Sequence, residues 1–167
     1  MLITIWRHGE AGLAVTDQQR ELTIDGRADL ARGSQAFLQL CKQRQLPAPD
    51  CIFQSPYTRT QQTAEILATA FTRAEIISQP ALEPGSQVSR LESLLEQVLG
   101  EANAPEHLVL VSHQPLVTYL LDHWLGERGQ VAPLAPGACA CLRLEYPAFD
   151  GARLQFAAFP PNYEAVL

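Results

Sequence analysis

The chain has 167 residues, of which 47% are hydrophobic and 18% charged, with a formal net charge of -6. This balance predicts one folded domain with a single sizeable core and excludes a disordered chain; no apolar run approaches the length of a membrane-spanning helix. The acidic balance argues against nucleic acid or an anionic membrane as partner, so any phosphate-bearing substrate must be drawn in by a local basic cluster.

The first stretch, Leu2-Ile3-Thr4-Ile5-Trp6, is apolar and β-branched and predicts a buried strand that stops at Arg7-His8-Gly9-Glu10. Arg and His at the carboxyl end of a buried strand lie where open α/β sheets hold ligands, and Gly9 allows a sharp turn and close ligand approach. A surface loop that happens to hold Arg and His is the alternative for this motif alone. The apolar run breaks at Arg7, too soon for a signal peptide. Glu10 to Arg20 is polar and reads as a loop. Thr23 then suits the N-cap of a helix whose inner face carries Leu30, Ser34, Phe37 and Cys41, widened by Leu38 and Leu40. Pro47 and Pro49 turn the chain into a short strand at Cys51-Ile52-Phe53.

A second helix is expected from Thr58, with Gln61 completing a capping box and Ala64, Leu67 and Phe71 facing inward. A brief strand near Glu75-Ile76-Ile77 and a loop from Pro80 to Ser86 follow. The third helix carries Val88, Leu91, Leu95 and Val98 and stops near Gly100. Leu108-Val109-Leu110-Val111 is the continuous apolar run of a central parallel strand, ending at Ser112-His113-Gln114-Pro115. Pro115 suits the first position of a helix that buries Val117, Leu120, Leu121 and Trp124. The runs at 140–146 and 153–159, around Asp150-Gly151, read as a β-hairpin. Alternating strands and helices predict an α/β three-layer sandwich: a mostly parallel central sheet, helices on both faces, and a C-terminal antiparallel hairpin.

Three buried strands thus lead into residues suited to phosphate: Arg7 and His8, then Arg59, then His113. Parallel neighbours bring their carboxyl ends together, and Arg59 falls in the first turn of its helix, where free N–H groups and the dipole favour an anion. Cys41, Cys51, Cys139 and Cys141 show neither zinc spacing nor a secretory context, which predicts reduced thiols and a cytoplasmic protein. A zinc site built from His8, His113 and a cysteine is the rival use of the histidines. His107 and His123 are expected on the solvated surface, Thr23 as a cap rather than a ligand, and Glu10 at the periphery.

Four segments in order, Arg7-His8-Gly9-Glu10, Leu22-Thr23-x-x-Gly26-Arg27, Ser55-Pro56-Tyr57-Thr58-Arg59-Thr60-x-Gln62-Thr63-Ala64-Glu65 and Ser112-His113-x-Pro115, resemble the motifs of the histidine phosphatase superfamily. The resemblance implies a phosphoglycerate mutase-like fold. The short span between Ser86 and Leu108 leaves little room for the insertions that roof the site in mutases. Asp17-x-x-Arg20-x-Leu22-Thr23 and Ser112-His113-Gln114-Pro115-Leu116-Val117-x-Tyr119-Leu120 resemble the SixA-type phosphohistidine phosphatases.

What the resemblance implies is a hydrolase in which His8 is the nucleophile and forms a covalent phosphohistidine. Arg7, Arg59 and His113, the last protonated beside the anion, grip the phosphoryl oxygens. Gln114, where relatives often have Asn, Glu or an apolar residue, either presents its backbone N–H to phosphate or takes no part. No metal or other cofactor is expected, since side chains supply the cations. The implied partner is the phosphorylated HPt domain of a sensor kinase, met by a monomer with no nucleic acid or membrane involved. One position departs from the mutases: in Leu82-Glu83-Pro84, Pro84 stands where their general acid aligns, and Glu83 is one residue off. That favours a P–N bond, whose imidazole leaves readily once protonated, over an alkyl ester. A phosphatase of a small phosphoester metabolite and a non-catalytic phosphate-binding module are the other readings.

Overall fold

In chain order the elements are β1 (Leu2–Arg7), α1 (Ile24–Gln43), β2 (Cys51–Gln54), α2 (Thr58–Ala70), β3 (Glu75–Ser78), α3 (Val88–Leu99), β4 (His107–Ser112), α4 (Leu116–Trp124), β5 (Cys139–Leu144), β6 (Ala152–Ala158) and β7 (Ala165–Val166). The computed structural model describes residues 1–166. One seven-stranded sheet runs in the order β3-β2-β4-β1-β5-β6-β7. The first four strands are parallel to their neighbours, and β5, β6 and β7 are added antiparallel.

Side chains alternate across each strand, and the two faces bury different sets. Ile3, Ile5, Leu108 and Leu110 face α3 and α4, meeting Leu91, Leu95, Leu120 and Trp124. Leu2, Trp6, Val109 and Val111 face α1 and α2, meeting Leu30, Phe37 and Leu67. Each such apolar side chain stabilises the fold by about 1.5–3 kcal/mol. The four cysteines are buried and free, with Cys139 and Cys141 on the α1/α2 face.

Thr23 caps α1 as expected, its hydroxyl accepting the Gly26 N–H at 3.0 Å. The capping box on α2 does not form. Tyr57 is the N-cap and Thr58 the first helical residue, while the Thr60 hydroxyl reaches the Ser55 and Tyr57 carbonyls, both at 2.7 Å. Pro115 is likewise one residue outside α4. β7 has no counterpart in the sequence reading, since two residues carry no periodicity.

His107 corrects a second expectation. It is 0% exposed, because it begins the central strand β4 rather than preceding it. Its Nδ1–H donates to the Pro47 carbonyl at 2.8 Å, its Nε2 accepts from the Thr4 hydroxyl at 2.8 Å, and its ring packs on Phe37. Burial holds it neutral, below its ordinary pKa. His123 is half-buried rather than free in solvent, because α3 lies beside α4 and brings Glu92 within 2.7 Å. His107→Ala is expected to remove about 2–4 kcal/mol through the cavity and the orphaned Thr4 hydroxyl. A lower urea midpoint at unchanged m-value is the measurement; an unchanged midpoint contradicts the packing role.

Candidate active site

The parallel ladder pairs Arg7 with Ser112 and Gln54 with Val111. The residues that follow each strand therefore emerge side by side. The His8 N–H bonds the Ser112 carbonyl at 3.1 Å, and the Ser55 N–H bonds the Val111 carbonyl at 3.2 Å. His8 and His113 stand with ring centroids 5.1 Å apart. Arg59, the second residue of α2, points its Nε–H at His8 Nε2, 3.2 Å away. The four sequence-predicted residues Arg7, His8, Arg59 and His113 line one cleft of about 470 Å³, together with Glu10, Asp17, Arg20, Pro84 and Gln114.

Small residues let α1 close up beneath the loop that follows β1. A Cβ on Gly9 would sit 2.6 Å from Leu30 Cδ1, and one on Gly26 would sit 2.5 Å from the Glu10 carbonyl. The close approach that Gly9 permits is thus to helix α1 rather than to a ligand. Its N–H is tied to the Thr63 hydroxyl at 3.2 Å.

The tautomer of His8 follows from its partners. The Gly9 carbonyl, 2.7 Å from Nδ1, accepts a proton there, so Nε2 carries the lone pair that Arg59 faces. Burial, opposed by the Gly9 hydrogen bond and reinforced by Arg59, Arg7 and Arg20, lowers the His8 pKa to about 4. His113 falls to about 3, by burial and then by the neighbouring His8 and Arg59. Burial thus holds both rings toward the neutral form. Its Nε2 lies 2.8 Å from the Ser55 hydroxyl, while Nδ1 and the Arg7 Nε are buried without a partner. Two orphaned buried nitrogens at one cleft suit a ligand rich in oxygen atoms.

Arg59 is anchored by a residue to which sequence reasoning gave no role. The Asp17 carbonyl accepts from Nη1 at 2.6 Å and the Asp17 carboxylate from Nη2 at 3.0 Å. Arg20 grips the other carboxylate oxygen at 3.2 Å. Burial is the largest single effect on Asp17 and raises its pKa, but the hydrogen bonds and charges of Arg59 and Arg20 together outweigh it and hold the carboxyl below its ordinary value. Asp17 thus takes the end of the guanidinium and leaves its Nε side turned to His8. The signal was the Asp17-x-x-Arg20 spacing beside the site, whose partner across 42 positions is invisible in sequence. Tyr57 wedges between the two, its ring 5.0 Å from the Arg59 guanidinium and 5.1 Å from the His113 ring. The Leu134 carbonyl, also missed, accepts from Arg7 Nη1 at 2.8 Å and from the Gln114 amide at 3.3 Å. Gln114 lines the cleft with its side chain so engaged, and Thr118 donates to its amide oxygen at 2.9 Å.

Glu10 lines the cleft, its carboxylate accepting from the Thr23 hydroxyl at 3.1 Å. Pro84 lines it too, whereas Glu83 does not. Three arginines outnumber two carboxylates, which gives an acidic protein a locally cationic pocket. Such a pocket, with a lone pair facing into it, can bind a tetrahedral oxyanion and attack its central atom in line.

Both histidines have folded-state pKa values below their ordinary 6.5, so each binds its proton more readily in the unfolded chain. Their contribution to stability is full above about 6.5 and is lost as pH falls toward 4 and below. The urea midpoint is expected to fall between pH 7 and pH 4.5, and less steeply in His8→Ala/His113→Ala. Equal slopes for the two proteins would contradict the burial of neutral rings.

No family model and no curated protein matches the sequence. Solved structures do match across nearly the whole chain. The protein histidine phosphatase SixA, complexed with tungstate, superposes with a TM-score of 0.74 at 26% identity, over 96% of this chain and 97% of that one. A protein provisionally assigned as the phosphohistidine phosphatase SixA of Agrobacterium tumefaciens gives 0.74 at 22% identity, over 95% and 97%. The α-ribazole phosphatase of Shigella flexneri gives 0.68 at 16% identity, over the full length of both chains.

Proposed function

We propose that this chain is a member of the histidine phosphatase superfamily, whose phosphoglycerate mutase-like fold it shares, and that it hydrolyses phosphohistidine on an HPt-type protein domain, without a metal. The observation that carries the reading is the His8 Nε2 lone pair, 3.2 Å from the Arg59 Nε–H and ringed by Arg7 and His113. A phosphoryl group seated there meets nucleophile and clamp together.

In the first step His8 Nε2 attacks phosphorus as the P–N bond of the substrate breaks. The bonding pair passes to the departing imidazole, whose other ring nitrogen has taken a proton from water, so it leaves neutral. The Gly9 carbonyl keeps the Nδ1 proton in place, so phosphorylated His8 is a cationic imidazolium and itself a good leaving group. Water then attacks phosphorus, the pair returns to Nε2, and inorganic phosphate leaves with the protons of that water. Arg7, Arg59 and His113 hold the three equatorial oxygens in both steps, and the dianion draws a proton onto His113. Loss of one clamp costs on the order of 10²–10³ in turnover by analogy with oxyanion donors.

Pro84 supports a P–N substrate. It lines the cleft at the position where a mutase-type acid would stand, and it has no proton to give. Alkoxide departure needs that proton from the enzyme, whereas the imidazole takes its proton from solvent on its other ring nitrogen before it leaves. A cluster of arginines facing the His8 lone pair also repels a metal ion, which supports side-chain cations as the electrophiles. Tungstate, a tetrahedral oxyanion like phosphate, occupies the SixA structure that superposes on this chain. No helix here is long and apolar enough to cross a membrane, and four buried free thiols suit the reducing cytoplasm where sensor-kinase domains exchange phosphoryl groups. The reading has the chain act as a monomer.

The test is transfer of ³²P from a labelled HPt domain. Transient label on the chain and release of inorganic phosphate are expected, with both abolished in His8→Ala. A clear preference for a small phosphoester metabolite over the HPt domain would overturn the substrate assignment. Across aryl phosphates, kcat/KM is expected to fall steeply as the leaving-group pKa rises, by about ten-fold or more over three pKa units. A flat dependence would reveal a general acid in the cleft.

A further inference from the structure

Among the described residues the most exposed large hydrophobic side chains are Leu13 at 99%, Val15 at 97% and Ile24 at 86%; the next, Phe149, stands at 60%. A single exposed aliphatic is ordinary. Here two lie on one segment, the connection from β1 into α1, Ile24 is the first residue of α1 at its end, and that connection builds one wall of the cleft.

The wall is rigidly held. Ala11 is bridged to Leu22, and the Gly12 N–H bonds the Glu21 carbonyl at 2.8 Å. Arg20 ties the Gly12 carbonyl at 2.7 Å and the Ala11 carbonyl at 3.2 Å, and Asp17 ties the far side to Arg59. Ala11, Asp17 and Arg20 line the cleft. Leu13 follows Ala11 by two residues and Val15 precedes Asp17 by two, so each Cα lies within about 7.6 Å of a cleft-lining one. Ile24 follows Thr23, whose hydroxyl is bonded to the cleft residue Glu10. Leu13 and Val15 therefore stand beside the cleft, on a tip bracketed by these anchored points, and Ile24 stands beside its cap.

His8 is only 8% exposed. A small phosphoester fits within about 470 Å³ and needs no contact with the rim. A histidine borne on a folded domain reaches Nε2 only if the surface around it meets that rim. We propose, on the premise of the phosphohistidine reading above, that Leu13, Val15 and Ile24 are the docking surface for the protein substrate, against apolar side chains beside its phosphorylated histidine. The tip Leu13-Ala14-Val15-Thr16 carries no charge in a chain of net charge -6, so this part of the rim offers the apolar contact that a protein surface, and not a free phosphate ester, would cover.

The experiment compares wild type, Leu13→Ser/Val15→Ser and Ile24→Ser on two substrates, a ³²P-labelled HPt domain and p-nitrophenyl phosphate. The expected result for the double variant is a rise of about ten-fold or more in KM for the HPt domain, with aryl phosphate kinetics unchanged. Unchanged HPt kinetics overturns the docking surface. So does an equal loss on both substrates, which makes the segment a support for Arg59 alone. Sedimentation showing a wild-type dimer that the double variant lacks overturns it as well, by giving the patch to a second copy of the chain. A wild type inert toward the HPt domain sinks the phosphohistidine reading, and the docking surface with it; an active wild type with an insensitive variant sinks the docking surface alone.

Discussion

The pairing of Arg7 with Ser112 in the parallel ladder of β1 and β4 is the constraint on which the cleft depends. Because those two strands end at the same level, the next residue of each is a histidine, and the two rings meet 5.1 Å apart. The neighbouring β2 ends in step with them, placing Ser55 against His113 and starting α2 so that Arg59 returns over His8. A slip of one residue would turn every side chain of a strand to the opposite face and exchange the two buried cores. The same apolar alternation that stabilises the sheet therefore fixes the catalytic distances.

Electrostatics sets the second condition. The chain is acidic, yet it concentrates Arg7, Arg20 and Arg59 at one cleft. A buried guanidinium needs a partner, since unpaired burial costs several kcal/mol. Asp17 supplies that partner for Arg59 while occupying only the end of its fork. Burial among these cations keeps both histidines neutral until an anion arrives. On the proposed reading this leaves His8 free to act as a nucleophile over the physiological range, with His113 charged only beside a bound phosphoryl group.

The identity of the leaving group enters through what the cleft lacks at Pro84. Under the proposed function, a proline lining the wall in place of a proton donor penalises alkoxide departure and spares imidazole. The proposed docking rim adds a second selection by shape. On that proposal, aliphatic side chains beside a recessed His8 favour a substrate large enough to touch them, and a phosphorylated protein domain meets both conditions together.

Much was legible in the sequence because it is local. The apolar runs gave the strands, Thr23 gave a cap, and Arg7, His8, Arg59 and His113 were placed at strand ends where a parallel sheet gathers ligands. The failures were non-local. His107 read as surface because its partners, Thr4 and Pro47, come from other elements, and His123 because Glu92 lies on another helix. Thr58 matched a capping pattern, yet the chain entering α2 placed it one residue inside the helix. What the sequence by itself determined was the main elements, β7 excepted, and the chemical type of the candidate site, since periodicity and residue chemistry are carried by neighbours in the chain. Only the tertiary structure decided how Arg59 is oriented, which nitrogen of His8 holds the lone pair, and where the aliphatic rim stands. Each of those depends on a hydrogen bond or a burial that exists only once distant segments are packed together.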